Sequence, residues 1–193
     1  MGQRPSVLRE KKARSAIVIG LDNAGKTTIL GHLVRIARQY RGLPGGVSTA
    51  PTVGLQLVEF RRRNVRWCTW DMSGQGRYRS LWAAYAAHVQ GVIFVVDVTD
   101  VNRIAVARDE LYGILKLSAV KQKGIPVVVL ANKWDLHQAG RTPGGASLTT
   151  ENIQVALGVD SIQVHHPTRV YPTSGKTGAG IEDAFAWLSA QVR

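Results

Sequence analysis

An α/β fold, with a mostly parallel six-stranded sheet, one antiparallel hairpin strand and helices on both faces, is the class this sequence predicts. Three observations predict it. Short runs rich in Val and Ile alternate with amphipathic segments along most of the 193 residues, and continuous apolar runs mark strands buried on both faces, as parallel strands are. A glycine-containing turn follows the first of these runs directly and leads into a helical pattern. Two further runs stand only a few residues apart, too close for a crossover connection, so they read as a hairpin.

Taken in order, Ser15 to Gly20 (SAIVIG) reads as the first buried strand, followed by the glycine loop and a helix from Lys26 to Gln39. Leu55 to Phe60 and Val65 to Trp70 form the hairpin, turning across Arg61-Arg62-Arg63-Asn64. Further strands follow at 91–97 (GVIFVVD), 125–132 (IPVVVLAN) and, more weakly patterned, from Ile162 to Tyr171. Helical spacing of apolar residues covers 103–118, 150–157 and 180–192. Arg41 to Gly46 and a Pro/Gly/Ser-rich stretch at 138–148 read as surface loops. The organisation expected is an N-terminal segment, 1–14, followed by one domain, 15–193, large enough for a single core. In a sheet of this kind a ligand lies at the carboxyl ends of the strands.

Composition narrows the setting. The lone Cys68 rules out an internal disulfide, so a reducing, cytoplasmic setting is expected. No apolar run reaches the roughly 18 residues of a membrane span. The start, MGQRPSVLREKKAR, lacks the apolar stretch of a secretory signal. The formal charge of +12 is spread along the chain. It reads either as an arginine-rich solvated surface or, for Arg4, Arg9, Lys11, Lys12 and Arg14, as attraction to an anionic membrane surface. Zinc-finger spacing and RNP-type aromatics are absent, so no nucleic acid partner is expected. The histidines show no metal-ligand spacing with Cys68.

Gly20-Leu21-Asp22-Asn23-Ala24-Gly25-Lys26-Thr27, followed by Thr28, fits G-x-x-x-x-G-K-[ST] directly after the first strand. Glycines let the backbone turn its N–H groups toward phosphates, aided by the positive end of the helix that follows. Lys26 would reach the outer phosphates, and the Thr27 hydroxyl would bind Mg²⁺. Asn132-Lys133-Trp134-Asp135 follows a strand about a hundred residues later. Guanine offers two adjacent donors to one carboxylate, whereas adenine has no donor at its ring position. Asp135 would therefore select guanine over adenine. Asn132 would brace the neighbouring loops, and the Lys133 stem would lie along the base.

Together these motifs resemble the Ras-like small GTPases, which extends the reading to three further segments. Thr173-Ser174-Gly175-Lys176 resembles a segment whose backbone meets the guanine carbonyl. Asp71-Met72-Ser73-Gly74-Gln75 resembles the second switch, which implies that Asp71 holds Mg²⁺ through water, Gly74 offers its N–H to the γ-phosphate, and Gln75 orients the attacking water as the catalytic residue. Pro51-Thr52-Val53-Gly54 resembles the first switch, with Thr52 as a further Mg²⁺ ligand. GLDNAGKTT, PTVG, WDMSGQ and Leu81-Trp82 are similar to the ADP-ribosylation-factor-like family across residues 15–193. The implied fold is the P-loop small-GTPase domain, binding GTP or GDP with Mg²⁺.

Within that family, DMSGQGRYRSLW (71–82) is similar to the ciliary branch linked to Bardet–Biedl syndrome. The resemblance implies a GTP state that recruits a coat of the BBSome type at the base of, or within, a cilium or flagellum. It also implies a guanine-nucleotide exchange factor, a GTPase-activating protein and a monomeric switch. TSGK and Ser73 depart from the usual family pattern. Leu55, Trp70 and Tyr85 occupy the positions of the family's aromatic effector surface, with one aromatic replaced. Met1-Gly2-Gln3-Arg4-Pro5-Ser6 fits the pattern for myristoylation of Gly2, beside only Val7 and Leu8 as apolar anchors. Two functions stay open at this point: a switch timed by hydrolysis through Gln75, and a nucleotide-stabilised adaptor that scarcely hydrolyses. No arginine finger stands in cis, so unaided hydrolysis should be slow.

Overall fold

The structure, a computed structural model, describes residues 13–39, 52, 54–62, 65–142 and 146–192. Six strands form one sheet in the order β2-β3-β1-β4-β5-β6. They are β1 (Arg14–Ile19), β2 (Leu55–Arg62), β3 (Val65–Met72), β4 (Gly91–Asp97), β5 (Val127–Asn132) and β6 (Thr168–Pro172). β2 runs antiparallel to β3, and every other pairing is parallel. Among the described residues the helices are α1 (Lys26–Gln39), α2 (Ser80–Ala86), α3 (Ile104–Leu115), α4 (Ser118–Lys123), α5 (Trp134–Gln138), α6 (Thr150–Leu157), α7 (Val159–Gln163) and α8 (Ile181–Gln191).

The continuous apolar runs arise because both sheet faces are covered. Along β1, Ile17 and Ile19 face a core shared with Trp82, Phe94 and Leu111, while Ala16 and Val18 face a second core with Ile29, Leu30 and Phe185. Alternate residues of one strand thus serve two layers, and all four are fully buried. Burying a side chain of this size stabilises by roughly 1.5–3 kcal/mol, which is why polar interruptions are missing from β1, β4 and β5.

Register sets the functional end of the sheet. Val18 pairs with Asp71, Asp97 with Asn132, and Ala131 with Pro172. The strand ends carrying the phosphate loop, the D-x-x-G segment, N-K-x-D and T-S-G-K therefore finish level with one another along one edge.

Several boundaries differ from the sequence reading. The strand expected from Ile162 begins at Thr168. Ile162 belongs instead to α7, where it and Val159, one helical turn apart, are both buried while Val164 is exposed; strand pairing starts after Pro167, whose carbonyl accepts the Val127 N–H. The first strand begins at Arg14, one residue before the Ser15 expected. Arg61 and Arg62 belong to β2 rather than to the turn. The helix expected over 103–118 divides at Leu117, whose extended backbone separates α3 from α4. No helix among the described residues is long and apolar enough to cross a membrane. Gly2, the basic cluster from Arg4 to Lys12, Pro51, Val53 and the 41–46 loop lie outside the described residues.

Candidate functional site

The turn from Gly20 to Gly25 is held where it is by the glycines at its ends. A Cβ on Gly20 would stand 2.2 Å from the Val95 carbonyl oxygen of β4. One on Gly25, whose φ is +92°, would stand 2.3 Å from Asn132 Nδ2. Neither contact leaves room for a side chain. The turn encloses a cavity of about 350 Å³ lined by Asp22, Asn23, Gly25, Lys26, Thr27, Thr28, Thr52, Ser73, Gly74 and Gln75. The start of α1 points its free N–H groups at this space, which suits an anion.

Lys26 is buried, and its Nζ donates to the Gly20 and Leu21 carbonyls at 3.0 and 2.7 Å. Burial pushes its pKa down to about 8, against the raising influence of Asp71 and Asp22. Thr27 Oγ1 donates to Asp71 Oδ2 at 2.6 Å, Thr52 Oγ1 donates to the same oxygen at 3.2 Å, and the two hydroxyl oxygens are 3.0 Å apart. Burial raises the Asp71 pKa, opposed by the bond from Thr27, the charge of Lys26 and the bond from Thr52. The other carboxylate oxygen, Oδ1, is buried with no hydrogen-bond partner among the described residues.

That unused buried oxygen, beside two hydroxyls, tests the site for a metal. An all-oxygen set of one carboxylate and two hydroxyls fits Mg²⁺, which commonly takes one or two carboxylates and completes its octahedron with water and phosphate oxygens. No group of three His, Cys, Asp or Glu side chains suited to holding a metal by itself occurs among the described residues.

Gly74 closes the cavity from the far side. It is buried, and a Cβ there would fall 2.4 Å from the Asp22 nitrogen. Arg79, which joins the short 3-10 turn Gly76–Tyr78 to α2, was not singled out in the sequence, yet its Nε donates to the Gly74 carbonyl at 2.8 Å. Trp82 Nε1 likewise donates to the Ser73 carbonyl at 3.0 Å. The Gln75 backbone N–H reaches Ser73 Oγ at 3.4 Å, and Gln75 itself lies at the cavity wall.

The loops expected to hold a base meet beside the phosphate turn. Asn132 Nδ2 donates to the Ala24 carbonyl at 2.7 Å, and Asn132 Oδ1 accepts the Gly175 N–H at 2.8 Å. One buried amide therefore joins three loops. Ser174 Oγ donates to Asp135 Oδ1 at 2.7 Å, leaving the other carboxylate oxygen free of that bond. Lys133 takes a left-handed φ of 66° and pairs with Asp97 at 2.6 Å, a partner the sequence did not suggest. Lys176 is exposed.

The three residues of the expected effector surface are half-buried against the same core. The Trp70 and Tyr85 ring centres lie 6.1 Å apart. Leu57, opposite Trp70 in the β2–β3 register and 50% exposed, shares the face of Leu55. The alternation of β2 could have picked it out.

The model of the ADP-ribosylation factor family matches residues 4–192. ADP-ribosylation factor-like protein 6 of Caenorhabditis elegans is 37% identical over 94% of this chain and 88% of its own length. The protein of that name from Danio rerio is 33% identical over 95% and 91%. A solved structure of the Arl6 BBS3 small GTPase of Trypanosoma brucei, with the bound nucleotide analogue GppNp, superposes with a TM-score of 0.76 at 28% identity, covering 93% of this chain and 97% of that one. By the family model and these relatives, the chain belongs to the ADP-ribosylation factor family of small GTPases, enzymes that hydrolyse GTP.

Proposed function

We propose that this chain is a GTP/GDP switch in ciliary or flagellar trafficking, whose GTP form recruits a BBSome-type coat to a membrane. The observation that carries the proposal is the meeting of Thr52 and Gly74 at one cavity. These two residues flank the β2–β3 hairpin in sequence, so a phosphate held between them fixes the hairpin from both ends. The hairpin carries Leu55, Leu57 and Trp70, and Tyr85 adjoins them on α2. Presence or absence of one phosphoryl group thus becomes a change in an exposed apolar surface. Likeness to proteins named ADP-ribosylation factor-like protein 6 and Arl6 BBS3 supports the choice of effector.

In this reading Lys26, the backbone from Asp22 to Thr28 and Gly74 hold the phosphates. Thr27, Thr52 and, through water, Asp71 hold Mg²⁺. The ion, when bound, neutralises charge on the phosphate oxygens. Asp135 accepts both guanine donors, Asn132 keeps the loops together, Lys133 lines the base, and Ser174, Gly175 and Lys176 close over it. Gln75 orients water at the outer phosphate. Hydrolysis is slow unaided, with an exchange factor and a GTPase-activating protein setting its timing. Gly2 acylation and the Arg4-to-Arg14 charges supply two weak membrane signals where one would not suffice.

The test is a pull-down from native cell extract. Gln75→Leu loaded with GTP should retain the coat, and Thr27→Asn should lose it. Equal recovery by GTP- and GDP-loaded protein overturns the switch. A single-turnover hydrolysis assay with and without extract separates it from the non-hydrolysing adaptor. Intact mass of the native protein reads the state of Gly2.

A further inference from the structure

At the end of the sheet opposite the phosphate cavity, Arg14, Arg62, Val65, Trp67, Ala186, Ser189 and Ala190 enclose a space of about 230 Å³. Arg14 pairs in register with Trp67, and Arg62 with Val65, so the strand ends supply one wall. The small side chains of α8 leave the room opposite. Two arginines line this space. Arg14 Nη1 donates to the Ser189 carbonyl. The Arg62 side chain is only 10% exposed, and its Nη2 pairs with Glu182 at 2.7 Å. Its guanidinium carbon lies 5.5 Å from the centre of the Phe185 ring. The Arg62 Nη1 is buried and has no hydrogen-bond partner among the described residues.

A buried charged donor without an acceptor is costly, and buried polar groups are nearly always satisfied. Glu182 is half-exposed and neutralises one of the two arginines, so the space keeps a net positive charge. We propose that it is a second anion site, binding a phosphate monoester between the side chains of Arg62 and Arg14. Guanidinium groups suit phosphate oxygens geometrically, and the space exceeds what a single carboxylate fills. The site shares no residue with the nucleotide cavity and does not depend on the function proposed above.

The test uses the full chain loaded with Mg²⁺ and a non-hydrolysable GTP analogue, so that the first phosphate site is filled. Millimolar inorganic phosphate should shift the NMR resonances of the Arg62 side chain and the Trp67 indole. Arg62→Gln should weaken phosphate binding about tenfold, the scale of one charge-assisted hydrogen bond, with nucleotide affinity unchanged. Glu182→Gln should strengthen it by freeing Arg62 Nη2, an effect that damage to the fold cannot imitate. Vesicles of phosphatidylcholine with phosphatidic acid are compared with vesicles of equal charge containing phosphatidylserine. A preference for the monoester lipid that Arg62→Gln abolishes identifies a headgroup as the source. Phosphate binding without that preference identifies a soluble phosphate. Absence of any Arg62 shift with phosphate, or Glu182→Gln failing to strengthen binding, overturns the proposal.

Discussion

Arg79 Nε donates to the carbonyl oxygen of Gly74 at 2.8 Å, which draws the peptide after Gly74 toward the arginine. The same guanidinium reaches Glu110 of α3 at 2.8 Å and Asp22 of the phosphate turn at 3.5 Å. Asp22 is also met by Arg103 at 2.9 Å. Arg79 is mostly buried, with 16% of its side chain exposed, so this is not a surface ion pair of negligible value. Arg79 is a positioning residue: it anchors the backbone just after Gly74, while Trp82, on the Ser73 carbonyl, holds the peptide that carries the Gly74 N–H.

On the role proposed for Gly74, replacing Arg79 should act on GTP more than on GDP. Arg79→Gln is expected to weaken binding of a GTP analogue by about 10- to 10²-fold, one charge-assisted hydrogen bond of roughly 1.5–3 kcal/mol. GDP affinity should change little. Paired displacement titrations with fluorescent GDP and GppNHp check it, and an equal loss for both nucleotides would mean Arg79 merely supports the fold.

Base selection should rest on Asp135. Two charge-assisted bonds at roughly 1.5–3 kcal/mol each put the loss of GTP affinity in Asp135→Ala at about 10²–10⁴-fold. Melting temperature without nucleotide should hardly move. Wild type binding ATP as well as GTP in a fluorescence titration would defeat the assignment.

Asn132→Ala removes both the bond to Ala24 and the acceptor for the Gly175 N–H. Leaving a buried donor unsatisfied costs about 1–3 kcal/mol. Both intrinsic stability and guanine affinity should fall, unlike in Asp135→Ala. Urea melts with and without GDP separate the two effects.

Lys26 gives a pH signature. Its pKa in the fold is about 8, below the 10.5 of an unperturbed lysine, so the unfolded chain binds more protons between those values. Stability of the nucleotide-free protein therefore rises with pH across that window. Bound phosphates favour the charged amine and raise its pKa, so nucleotide binding near the upper side of neutrality takes up protons. Calorimetry above pH 8 in two buffers of different ionisation enthalpy should show uptake in wild type and none in Lys26→Met.

The loops at the strand ends were legible in the sequence because each is a local string whose spacing is set by its own chemistry. The six strands were legible because Val and Ile runs leave no other economical burial. What joins the loops was not. Arg79 and Asp22 are 57 residues apart, and Arg62 and Glu182 are 120 apart; no periodicity encodes such pairs. Lys133 and Asp97 meet only because β4 and β5 are in register. The start of β6 was misplaced for another reason: Ile162 is apolar to serve a helix turn, and Pro167, excluded from the interior of a paired strand, was the sign that pairing begins at Thr168.

β2 has a single neighbour in the sheet, so among the described residues its other side offers a row of backbone donors and acceptors to any passing strand. Such edges invite chains to stack on one another. Here Gln56 and Glu59 interrupt the apolar pattern of Leu55, Leu57, Val58 and Phe60, Arg61 and Arg62 end it, and the half-exposed Leu57 is the weak point. The surface proposed to draw an effector is therefore also the one most prone to self-association, and Glu59, exposed on that edge, acts as its gatekeeper.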